Sequence, residues 1–157
     1  MEYGTFDALA TGLHALAAVI WVGGMFFAYV CLRPAAGALA GPERQKLWRG
    51  VFARFFPWVW MQVIVLLATG YAMLFVSMGG FGGAGLHVHI MHLTGLIMVL
   101  LFVGLFHAPW LKFKRAVDAG ETETAAKHLD RIRVIVLANL WLGLFTVAVG
   151  ASGRFWS

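Results

Sequence analysis

Three long stretches of the chain carry no Asp, Glu, Lys or Arg: residues 8–32, 57–111 and 134–153. About 20 apolar residues cross a bilayer as a helix, so the first and last stretches each predict one span. The middle stretch is too long for one span, and its glycine-rich run GGFGGAG, residues 79–85, divides it in two. The pattern predicts an all-α integral membrane protein, a four-helix bundle forming one domain over 1–157. Its helices are expected at about 6–32, 57–78, 86–111 and 134–151, because only helices or closed barrels satisfy their backbone in lipid.

The segments between the spans are amphipathic. PERQKLWRGVFARFFPW, residues 42–58, interleaves Arg44, Lys46, Arg49 and Arg54 with Leu47, Trp48, Val51, Phe55 and Phe56. It reads either as a helix lying in the headgroup region or as a basic loop with interfacial aromatics. Pro57 is expected to open or kink helix two. Residues 112–133 mix both charge signs with good helix formers and predict extensions of helices three and four beyond the membrane.

Eleven of the twelve Lys and Arg residues fall in two segments, 33–54 and 112–133; Glu2 and Asp7 precede the first span, and Arg154 follows the last. The positive-inside rule makes both basic segments cytoplasmic and both termini extracytoplasmic. The net charge of +5 is then a topology signal whose counterions are lipid headgroups. It argues for no nucleic-acid partner, since the charge is split between loops that hold no binding motif. The acidic start and long first span do not fit a secretory signal. The single cysteine, Cys31, excludes an internal disulfide and reads as a small apolar packing residue.

Against this background GLHVHIMH, residues 85–92, places three histidines beside Met91 at the outer mouth. At 100° per residue His14, Ala18, Trp21 and Met25 form one stripe of helix one, and His89 and His92 can both face inward on helix three. An ionisable group inside a membrane marks a functional site by default. Two chemistries compete. A b-type haem would be held by His14 with His89 or His92, Trp21 and Met25 lining the pocket beneath it. Alternatively copper, which takes imidazole and thioether, would be captured by His87, His89, Met91 and His92 and passed to His14. Met25, Met61, Met73 and Met98 could mark an ion path, although packing is the commoner use of methionine. Asn139 reads as a bridge between helices, and Gly70 and Gly143 as close-packing positions. No nucleophile with an adjacent base and no phosphate loop is present, which excludes hydrolytic chemistry. A spacing of twenty residues separates both His14 from Pro34 and His89 from Pro109, a weak sign of two related hairpins.

LHALAAVIWVGGMFFAYVCLRP (13–34), LWRGVFARFFPWVW (47–60), HVHIM (87–91), LKFKRAVDAGE (111–121) and NLWLGLFTVAVGASGR (139–154) resemble the small stand-alone members of the CopD-like family. These are bacterial inner-membrane proteins related to the copper resistance D domain. The first helix is also similar to that of the more distant HemJ protoporphyrinogen oxidases, which bind haem; the resemblance puts their helix-one histidine at His14 and the family histidine of helix three at His89. HemJ carries a helix-three lysine with no counterpart here, since no Lys or Arg lies between Arg54 and Lys112.

These readings together give the expectation of a protein in the bacterial inner membrane that binds haem b through His14 and His89, with His92 as the substitute ligand. It would serve electron transfer or redox chemistry near the outer face, as a membrane oxidoreductase if it is an enzyme. Copper binding or transport is the alternative, and HemJ-like porphyrinogen oxidation a further one. The expected partners are the lipid bilayer, a quinone or a redox partner at the outer face, and a second copy in a homo-oligomer.

Overall fold

The computed structural model describes residues 2–156, with the side chains of residues 2, 3 and 154 left aside. The Glu2 and Arg154 charges used in the topology reading therefore lie outside the described side chains. Four helical rods account for nearly all of it: α1 (Gly4–Ala38), α2 (Gly41–Ser77), α3 (Leu86–Asp118) and α4 (Thr122–Ser152). Each is long and apolar enough to cross a membrane. Both termini and the α2–α3 loop share one end of the bundle, here the terminal end; the α1–α2 and α3–α4 turns form the other, the basic end.

The rods run further at the basic end than the expected spans. α2 begins at Gly41, not near residue 57, and Pro57 lies inside a continuous helix from Gly41 to Ala72. The 42–58 segment thus neither lies flat in the headgroups nor forms a loop. Its apolar face, Trp48, Phe52 and Phe56, is buried against Phe113, Leu129 and Ile132 of the α3 and α4 extensions, and Phe113 and Ile132 are completely enclosed. Aromatic rings interlock across this region: Phe52 and Phe56 stack 5.1 Å apart, and Trp110 meets Phe56 edge-on at 5.2 Å. Such offset and edge-on pairs are the favoured arrangements of ring quadrupoles. Gln45 Nε2 donates to the Thr122 carbonyl at 2.8 Å. Arg49 makes a two-pronged pair with Asp118 at 2.8 and 2.9 Å. The extensions of helices three and four, by contrast, form as their composition predicts.

Wide π turns interrupt three rods, at Phe27–Leu32, Met73–Ser77 and Phe106–Trp110. Two of them adjoin prolines: Pro34 follows the first and Pro109 lies in the third. Proline lacks an N–H and crowds the carbonyl four residues back, and a π turn relieves both. The matched His–Pro spacings therefore end on the same local distortion. α3 turns into α4 at Gly120, whose φ of +74° suits a residue without Cβ; the Glu121 N–H donates to the Ala116 carbonyl and closes the helix end. Cys31, expected to pack inside, is exposed, because it sits on the outer flank of the first π turn.

α1 packs along α2 and also touches α4, while α3 packs along α4. Between α2 and the Leu86–Leu105 part of α3 the approach is made chiefly by large rings, such as Trp60 against Phe102 at 5.2 Å. Asn139 Nδ2 of α4 donates to the Met98 carbonyl of α3 at 3.2 Å, the interhelical bridge expected for it. Close packing at Gly143 is equally direct, since a Cβ there would lie 2.8 Å from Val22 Cγ2.

Candidate functional site

His14 faces α2. Of its expected stripe on α1, Trp21 and Met25 are buried and Ala18 is half-buried, with Ala17 and Val22 buried beside them. The His14 Nδ1 lies 2.8 Å from Thr69 Oγ1, and the Thr69 hydroxyl lies 2.7 Å from the Val65 carbonyl. A hydroxyl has one hydrogen. With that hydrogen directed to the carbonyl, Thr69 accepts from a protonated Nδ1; with it directed to Nδ1, the neutral ring is protonated on Nε2 instead. In the first arrangement the lone pair is on Nε2, a form in which imidazole binds a metal. Gly70 makes room for the ring: a Cβ there would lie 3.3 Å from His14 Cε1.

Two further contacts extend this seam toward the terminal end. Thr11 Oγ1 donates to Met73 Sδ at 3.4 Å, and Ser77 Oγ donates to Asp7 Oδ1. Asp7, Thr11 and His14 lie at i, i+4 and i+7 on α1, and Thr69, Met73 and Ser77 recur every four residues on α2. Each set is therefore a single stripe. The result is a ladder of oxygen, sulfur and nitrogen groups descending from Asp7 to His14. Met73 is one of the four methionines that the sequence offers as an ion path or as packing. The spacing of four shared by Thr69, Met73 and Ser77 was the signal that pairs them with α1.

The GLHVHIMH cluster does not form one claw. α3 starts at Leu86, so all three histidines are helical and point to different neighbours. His87 packs against Gly153 so closely that a Cβ there has no space, and its ring centroid is 6.3 Å from that of Trp156. Met91, one turn on, covers Gly150, where a Cβ would lie 3.1 Å from Met91 Sδ. His87 and Met91 thus face the end of α4. His89 is exposed and stacks on Phe81 of the α2–α3 loop at 6.0 Å. His92 meets Phe81 edge-on at 5.1 Å and Tyr71 at 5.5 Å. Among the described residues, no group of three or more His, Cys, Asp or Glu converges in a way that could hold a metal ion.

Nor does His14 share a site with the helix-three histidines. Thr69, which holds His14, and Tyr71, which touches His92, are about 200° apart around α2. The body of α2 therefore stands between the two imidazoles. His107, at the basic end, bonds its own helix, with Nδ1 2.9 Å from the Val103 carbonyl.

Trp21 and Met25 do line a cavity, of about 230 Å³, together with Val59, Phe102, Val136 and Asn139. Trp21 is seven residues, about 10 Å of helix rise, beyond His14. No histidine borders the cavity, and its volume is below the roughly 300–1,000 Å³ of pockets for drug-sized ligands. The expected haem pocket beneath His14 is therefore replaced by a smaller chamber without an axial ligand. The methionines form no continuous path: Met25 and Met98 are buried in the core, whereas Met61 is exposed.

Comparison with known proteins gives one assignment. Residues 49–152 match the family model of copper resistance protein D, a region that runs from just after Trp48 in α2 to the end of α4. No curated protein and no solved structure matches the chain. With four membrane-crossing helices and a match over most of its length, this multi-pass membrane protein belongs to the copper resistance protein D family.

Proposed function

We propose that the chain takes up copper ions at the terminal end and carries them into the membrane along the α1–α2 seam. In this reading the basic end is cytoplasmic, following the charge distribution, and the membrane is the bacterial inner one. The observation that carries it is the His14–Thr69 contact at the foot of a ladder containing the Met73 thioether; with the Thr69 hydrogen directed to the Val65 carbonyl, His14 keeps Nε2 as a lone-pair donor. Asp7 would attract the cation at the mouth. Met73 and His14 supply soft and borderline donors, the kinds that favour copper over hard cations. The family assignment agrees with copper as cargo.

The test is copper uptake into vesicles containing the purified protein, supplied with Cu(I) under reducing conditions. His14→Ala and Met73→Leu should each slow uptake, while His87→Ala, which acts on a different helix face, should leave it near the parental rate. Uptake that survives loss of His14 overturns the reading.

A b-type haem is the second reading that the free Nε2 would serve. A bis-histidine haem needs a second imidazole across an open cleft, and His89 and His92 lie beyond α2. The residues do not fit that group, nor is there a lysine on α3 before Lys112 for a HemJ-like oxidase.

A further inference from the structure

The cavity behind Trp21 belongs to no part of the copper seam. It lies nearer the basic end, and its composition is unlike that of an ion site: aromatic and aliphatic walls with a single amide. Trp21 meets Phe102 edge-on at 6.2 Å, and Phe102 meets Phe56 at 5.7 Å. An apolar cavity of about 150 Å³ is enough to take benzene, so a chamber of about 230 Å³ takes a substituted single ring.

One polar group in this wall lacks a partner. Asn139 is 3% exposed, and its Oδ1 has no hydrogen-bond partner, although its Nδ2 is held by the Met98 carbonyl. That bond fixes the amide orientation, because the flipped form would set two acceptor oxygens against each other. Asn139 therefore offers an acceptor, at the cost of a buried unsatisfied oxygen when nothing binds. Trp21, also 3% exposed, has an indole N–H that can only donate. Phe27 is the one lining residue that is exposed on the flank of the bundle. The chamber thus reaches lipid between α1 and α2, where Gly24 lets the Phe55 ring approach α1.

We propose that this chamber binds a phenolic ring carried on a lipid tail, the chemistry of a membrane hydroquinone headgroup. The ring hydroxyl donates to Asn139 Oδ1, the ring rests on Trp21 and Phe102, and the tail leaves past Phe27 into the bilayer. The inference does not rest on the copper reading.

Saturation-transfer NMR on the full chain in nanodiscs tests it, with 4-decylphenol as probe and 4-decylanisole, of the same tail but with no hydroxyl to donate, as comparison. The phenol should bind about tenfold more tightly than the anisole, the factor equivalent to a hydrogen bond of about 1.4 kcal/mol. Val136→Phe, which fills the chamber from α4, should remove the phenol signal above the lipid background. Asn139→Leu should equalise the two ligands. Because that variant also loses the bridge to Met98, the wild-type comparison and Val136→Phe suffice by themselves. Equal binding of phenol and anisole to wild type, or undiminished phenol binding by Val136→Phe, overturns the proposal.

Discussion

Replacing Thr69 by Val changes the shape of the site little and removes the hydroxyl that orients His14. In the arrangement under test, the Thr69 oxygen, 2.8 Å from Nδ1, accepts from Nδ1–H while its own hydrogen goes to the Val65 carbonyl at 2.7 Å. That carbonyl retains its helical bonding in the variant, so the loss falls on His14. Hydrogen bonds between membrane helices contribute about 0.6 kcal/mol on average and up to about 1.7. If that energy sets the balance between the two neutral tautomers, its loss shifts their ratio by roughly three- to eighteen-fold toward the form protonated on Nε2. Nitrogen NMR of protein labelled at its six histidines reads the ratio directly, with His14→Gln identifying the signal. Cu(I) affinity, measured by competition with a chelator, should fall by a similar factor, and Thr69→Ser should restore both. A wild-type His14 protonated on Nε2, or a ratio indifferent to Thr69→Val, refutes the reasoning.

Gly143→Ala places a Cβ 2.8 Å from Val22 Cγ2 and 3.1 Å from Met98 Cε. It should destabilise the bundle by about 1–3 kcal/mol in mixed micelles titrated with SDS, while Gly95→Ala, with nothing within 4 Å, should be neutral or gain up to about 1 kcal/mol of helix propensity. Similar losses at both sites would contradict the packing described. His87→Ala, which empties the contact with Gly153, should cost about 1–2 kcal/mol, against less than about 0.5 for the exposed His89→Ala; the same titration reads both, and the reverse order would mean that the α3 start is rotated. The Arg49–Asp118 pair is half-open to solvent, so its double-mutant coupling should be weak and should vanish in molar salt.

Most of the fold was legible in the sequence because lipid permits few alternatives. Charge-free stretches and a glycine run were enough to number the helices, and 112–133 read as helical extensions through its composition. The start of α2 was misjudged for a physical reason. In 42–58 the alternation of Arg with Trp and Phe is the same for a helix lying on a membrane as for one packed in a bundle beyond it. Only the partner surface decides, and that surface, Phe113, Leu129 and Ile132, belongs to residues more than fifty positions away. Cys31 was misjudged similarly: hydropathy marks a residue as belonging in the membrane without telling which flank of the helix it occupies, and the π turn at Phe27–Leu32 alters the phase.

The site was less legible because closeness in sequence is a poor guide to closeness on a helix. With α3 beginning at Leu86, His87 and His89 are about 200° apart, whereas His87 and Met91 are about 40° apart. The densest run of candidate ligands in the chain is therefore divided by its own backbone between the end of α4 and the α2–α3 loop. Asp7, Thr11 and His14 carry no motif in the linear sequence, yet they fall within about 60° of one another on α1. Their partners on α2 also recur about once per turn, so each rung can pair side chain with side chain. Donors spaced by a helical turn on two packed rods line one seam, and donors crowded into one segment of a rod do not. Chemistry in a helical membrane protein is therefore better sought first in polar positions repeating at three and four residues, and only then in clusters.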